Sequence, residues 1–154
     1  ANQSQTSRVN NTGSSNPSSE KNSETASQPP RLASEKIEYL IAQYISAYDT
    51  GNLDQMLRLF SANVRTEDGT GIAIIKRDYS NLFLNTAERH ITVHNVKNQI
   101  TGNGQANIRF DASVRVRNSK SSEWKYFSGD MELEVVDSDR GLLISALSHS
   151  ITQD

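Results

Sequence analysis

The segment Gln43–Gly71, QYISAYDTGNLDQMLRLFSANVRTEDGTG, decides how the rest of the chain is read. Tyr44, Ile45 and Tyr48 continue a stripe begun by Ile37, Leu40 and Ile41, all at helical spacing. Ser34 can cap this helix, and Glu35 and Glu38 sit in its first turn, where the helix dipole favours negative charge. Gly51 supplies a left-handed terminator. Asn52 then opens a second helix with Gln55 in capping-box position, and Leu53, Met56, Leu57 and Phe60 form its apolar side. So short a link predicts a helical hairpin. Val64–Asp68 reads as a strand, and Gly69-Thr70-Gly71 breaks the chain before a third helix. The adjacent carboxylates of Glu67 and Asp68 therefore fit either a turn or a reaction centre.

Downstream, Ile72, Ile75, Tyr79, Leu82 and Phe83 mark one side of the third helix. From Glu88 the period becomes two. Arg89 to Ile100 predicts a strand with an irregularity at His94-Asn95, and Thr101 to Gly104 a turn. Ala106, Ile108, Phe110, Ala112, Val114 and Val116 alternate with polar residues, the pattern of a half-buried strand. After a turn at Asn118–Ser122, Phe127, Met131, Leu133 and Val135 point inward, and Tyr126, Asp130, Glu132 and Glu134 outward. Symmetric pairing of this hairpin sets Arg109 opposite Glu132. A turn at Asp137–Gly141 leads to the last strand, Leu142 to Ile151. The expected class is α+β: three N-terminal helices packed on a curved antiparallel sheet, a cystatin-like cone.

Upstream the composition changes. Residues 1–30 hold one aliphatic side chain larger than alanine, Val9, among Ser, Asn, Gln and Thr. Such a segment buries too little apolar surface to offset its ordering entropy, so it is expected to be a disordered linker ahead of a domain over 31–154. A polar tether, beginning ANQSQ without Met, suggests an excised piece of a longer polypeptide, anchored periplasmically or extracytoplasmically. A net charge of −2 without a basic run argues against a nucleic-acid partner. No apolar run reaches the ~20 residues of a membrane span. With no cysteine, thiol catalysis and thiolate metal sites are excluded.

The ordered string from Gln43 to Gly71 resembles the opening of the nuclear transport factor 2-like superfamily, which includes SnoaL-like cyclases and ketosteroid isomerases. The later elements agree in order, so the resemblance covers about Ala33 to Ile151. It implies a hydrogen-bonding tyrosine at Tyr44 and a proton-shuttling aspartate at Asp68. The resemblance also asks for a second acid on the strand that carries Phe127 to Val135, where inward parity puts Met131 instead. Tyr48, Tyr79, Phe83, Phe110, Phe127 and Met131 are the expected lining of a shared hollow.

His90 and His94 lie four apart on a strand with no third ligand, so no metal or other cofactor is expected. Trp124 and Tyr126 fall on the outer side of the sheet, a candidate homodimer interface. The functional expectation is a tethered, non-enzymatic binding or dimerisation domain. The alternative is a small-molecule isomerase, cyclase or apolar-ligand pocket using Asp68 and Tyr44.

Overall fold

A computed structural model describes the backbone of residues 17–154, with side chains described from residue 34 onward. Residues 1–16 of the expected linker lie outside the described part. From Pro17 the backbone is helical, and α1 runs Pro17–Thr50. The chain divides into two units, Ala1–Glu35 and Lys36–Asp154. Within the second unit, Ile37, Leu40, Tyr44, Ala47 and Tyr48 of α1 are buried, the stripe that helical spacing demands.

Helix α2 is a single turn, Leu53–Leu57, and only Met56 on it is buried. Asn52 caps it by accepting from the Gln55 backbone N–H at 3.0 Å. The Gln55 side chain does not complete a capping box; it donates to Gln43 Oε1 at 3.0 Å and ties α2 to α1. The sequence reading puts Phe60 on this helix. Instead Phe60 is the first residue of strand β1, Phe60–Thr66. The Ile144 N–H donates to the Leu59 carbonyl at 2.7 Å, so pairing with a distant strand overrides helical propensity there.

Strand β2, Gly69–Thr70, pairs back on β1, so the glycines expected only to break the chain also form a short ladder. Helix α3 follows at Ile72–Asn85, with Ile75 and Tyr79 buried. Four strands form the rest of the sheet: β3 Thr86–Gly102, β4 Gln105–Asn118, β5 Trp124–Ser138 and β6 Gly141–His149. A last pair, β7 Thr152–Gln153, lies against β5.

The order across the sheet is β2-β1-β6-β5-β4-β3. Only the β1–β6 pairing is parallel; the other contacts are antiparallel. Ladder β4–β5 has Arg109 opposite Glu132, as hairpin symmetry predicts. The irregularity expected at His94-Asn95 is there: the β3–β4 register shifts between His94 and Lys97, and Asn95 has φ 54°. The fold is α+β, with a curved, open, mostly antiparallel sheet and helices. Its core joins Phe110, Ile108, Leu133, Val135 and Ile144 from the sheet to Ile37, Met56 and Ile75 from the helices. Among the described residues no helix is long and apolar enough to cross a membrane.

Candidate functional site

Helical spacing puts Tyr44 and Tyr48 on one face of α1, and Ile75 and Tyr79 on one face of α3. Both faces turn toward a cavity of about 330 Å³. The sheet closes it with Ile91 of β3, Val114 and Val116 of β4, Phe127 and Met131 of β5, and Leu147 of β6. Of the residues the sequence nominates, Tyr44, Tyr48, Asp68, Tyr79, Phe127 and Met131 lie on this lining. Phe83 and Phe110 do not. Phe110 is sealed in the core at 1% exposure, and Phe83 packs on Tyr79, with ring centroids 6.0 Å apart, beneath the Arg89 guanidinium.

The deep end of the cavity is phenolic. The Tyr44 and Tyr79 hydroxyls are 2.6 Å apart, a hydrogen bond in which either oxygen can donate. Their rings meet edge-on at 83°, and Tyr79 also touches Tyr48, Phe60 and Phe83. Burial pushes the Tyr44 phenol well above its usual range, and neighbouring Tyr79 adds to this. Burial also raises Tyr79, against the opposing effect of its hydrogen bond with Tyr44. Tyr48 is pushed up to about 12 by burial, with Arg89 pulling the other way and Asp49 adding to the rise. All three phenols are neutral donors at ordinary pH. One consequence is arithmetic: two hydroxyls carry two protons, and their mutual bond uses one. Among the described residues the second proton has no protein acceptor.

The outer end is polar and exposed. Glu67 and Asp68 occupy the turn between β1 and β2. Thr66 holds that turn: its hydroxyl donates to the Gly69 carbonyl at 3.0 Å and accepts from the Asp68 N–H at 3.1 Å. The Asp68 side chain is 64% exposed and lies 3.7 Å from Arg77. Arg77 also pairs with Asp78 at 2.9 Å. Asp78 and His149 complete the rim.

His149 is a lining residue that the sequence reading does not nominate. It pairs opposite Met131, so the two share the cavity side of the sheet. The signal was available: Leu147, His149 and Ile151 have one parity, and all three line the cavity. Ile151 reaches the cavity because the chain crosses β5 at Gly129. A Cβ there would lie 2.1 Å from the Ser150 carbonyl oxygen, so only glycine permits the crossing.

On the opposite side of the sheet, Trp124 stacks with Arg115, whose guanidinium carbon is 5.1 Å from the ring centroid, and with His90 at 5.9 Å. Tyr126 is 52% exposed. His90 and His94 join no metal-binding group; among the described residues no cluster of three or more His, Cys, Asp or Glu could hold an ion.

A helix-flanked, open antiparallel sheet enclosing such a cavity is the nuclear transport factor 2-like fold, and the chain has it. A nuclear transport factor 2-like superfamily protein from Salmonella enterica superposes with a TM-score of 0.67 at 16% identity, over 77% of this chain and 92% of that one. A candidate scytalone dehydratase from Novosphingobium aromaticivorans gives 0.74 at 16% identity, over 80% and 86%. A type 2 hexachlorocyclohexane dehydrochlorinase gives 0.69 at 15% identity, over 83% and 93%. No family model and no curated protein matches the sequence.

Proposed function

We propose that this chain is a non-enzymatic binding domain that holds a small apolar molecule bearing one hydrogen-bond acceptor, such as a ketone or an aryl ether. The single observation carrying this reading is the spare proton of the Tyr44–Tyr79 pair, buried at the deep end of an otherwise apolar cavity. A buried donor without a partner costs about 1–3 kcal/mol, which a ligand oxygen there would recover. About 330 Å³ falls at the small end of ligand pockets. Titration of an aryl ketone against intrinsic fluorescence tests this. Saturable binding weakened roughly tenfold in the Tyr44→Phe/Tyr79→Phe double variant, which removes both phenol protons, is expected; silence across a panel of ketones and aryl ethers would refute it.

Catalysis is the second reading, because Asp68 lines the same cavity as Tyr44 and two structures of this fold carry enzyme names, a dehydratase and a dehydrochlorinase. The setting of Asp68 argues against it. A base for proton abstraction beside a carbonyl works best away from water, and this carboxylate is mostly exposed and ion-paired. The Met131 position supplies no second acid. Deuterium exchange into a bound ketone, abolished by Asp68→Asn, would reinstate the enzyme.

The outer sheet face is proposed as a contact between two copies. Arg109, Arg115 and Arg117 lie on β4 and Asp130, Glu132 and Glu134 on β5, so a two-fold apposition sets each row against its opposite. Trp124 and Tyr126 would sit within that contact. Sedimentation of wild type against Trp124→Ala tests it: a dimer that dissociates is expected, and monomers in both cases would end the idea.

A further inference from the structure

We propose that the cavity selects for charge at its outer end, taking ligands with a protonated amine, and that Glu67 is the anchor for that cation. The inference rests on the binding reading above and names the ligand class for the same site. At the deep end, the spare phenol proton calls for a neutral acceptor and the surrounding walls call for an apolar body. The rim is different. Among the described residues three carboxylates stand on it, those of Glu67, Asp68 and Asp78, and no lysine or arginine lines the cavity. His149 is the one basic side chain on the lining among the described residues.

The three carboxylates are not equivalent. Arg77 approaches Asp68 at 3.7 Å and Asp78 at 2.9 Å, so one guanidinium serves both. Among the described residues the Glu67 side chain enters no ion pair and no hydrogen bond. The nearest arginine in sequence, Arg65, pairs with Glu134 at 2.7 Å. Glu67 is thus the unneutralised charge at the mouth, on a turn that Thr66 keeps in place. A ligand seated on the phenols and extending outward brings its far end to this carboxylate. There an ammonium gains, an uncharged group does not, and a carboxylate is repelled.

The test uses three aryl ketones with one shared body, ending in a tertiary amine, a methyl group or a carboxylate. The amine should bind about threefold tighter than the methyl compound, with the carboxylate the weakest of the three. The spread should shrink at about 1 M salt, because the rim is exposed. In Glu67→Gln the amine should fall to the level of the methyl compound while the affinity of the latter is unchanged. Equal binding of all three overturns the charge selection but leaves the binding reading intact. So does an amine preference that survives Glu67→Gln. Failure of all three to bind overturns both.

Discussion

Tyr44 and Tyr79 come from different helices, and neither hydroxyl has another partner among the described residues. Tyr44→Phe should strand the Tyr79 hydroxyl in the core and cost about 1–3 kcal/mol in urea unfolding. The double variant with Tyr79→Phe should cost less than the sum of the singles, since it removes both polar groups. The phenols also fix a pH response. Their folded-state values are raised, so the unfolded chain gives up its phenol protons first, and stability falls as pH climbs above about 10. For Tyr48 the loss runs until its folded value of about 12 and amounts to about 3 kcal/mol. Urea melts across this window, with phenolate absorbance followed alongside, give the measurement. A flat stability profile would contradict the burial of these rings. At this scale Tyr44 and Asp68 could be nominated from the sequence, whereas the Tyr44–Tyr79 bond could not, because the two residues are 35 positions apart.

Elements are held together here by contacts no local pattern announces. Arg89, 7% exposed, donates from Nε to the Tyr48 carbonyl at 3.0 Å and from Nη1 to the Thr86 carbonyl at 2.9 Å. It thereby links the last turn of α1 to the junction between α3 and β3, with its charge favourably set at the end of the α1 dipole. Asp49 works in the same place, accepting from the Ile91 N–H at 2.9 Å. Arg89→Met should therefore cost roughly 2–4 kcal/mol by chemical denaturation, far beyond an ordinary surface change. Gly51 is bound to this arrangement: it has φ 68°, and a Cβ would lie 2.5 Å from Arg89 Nη2. Gly129 is a second such point. Gly129→Ala should displace the β6–β7 connection and with it Ile151, so ligand affinity and stability should fall together. The strand alternation of β4 and β5 was legible because one face of each is buried. The parallel β1–β6 pairing was not, since nothing in residues 58–60 marks a partner more than eighty positions away.

Across the whole molecule, buried apolar surface and surface charge contribute unequally. The ion pairs Lys36–Asp137, Arg65–Glu134 and Arg109–Glu132 have side chains from 39% to 65% exposed. Such pairs are screened by salt, so raising salt to about 1 M should change the unfolding free energy by less than about 1 kcal/mol. Phe110→Ala, by contrast, opens the centre of the core and should cost about 3–5 kcal/mol. Urea titrations of both at one temperature make the comparison, and the reverse order would mean that the charge ladder carries the fold.

By itself the sequence determined the periods: a helical stripe from Ile37 to Tyr48, a strand of strict alternation from Ala106 to Val116, and glycines where the chain had to turn. Those signals are local, because helix and strand repeats are written in neighbouring residues. Tertiary structure alone decided which phenols share a proton, that His149 pairs opposite Met131, and that Phe60 belongs to the sheet. Each of these depends on chain segments that meet only after folding, where burial and pairing geometry outweigh any preference of the residue alone.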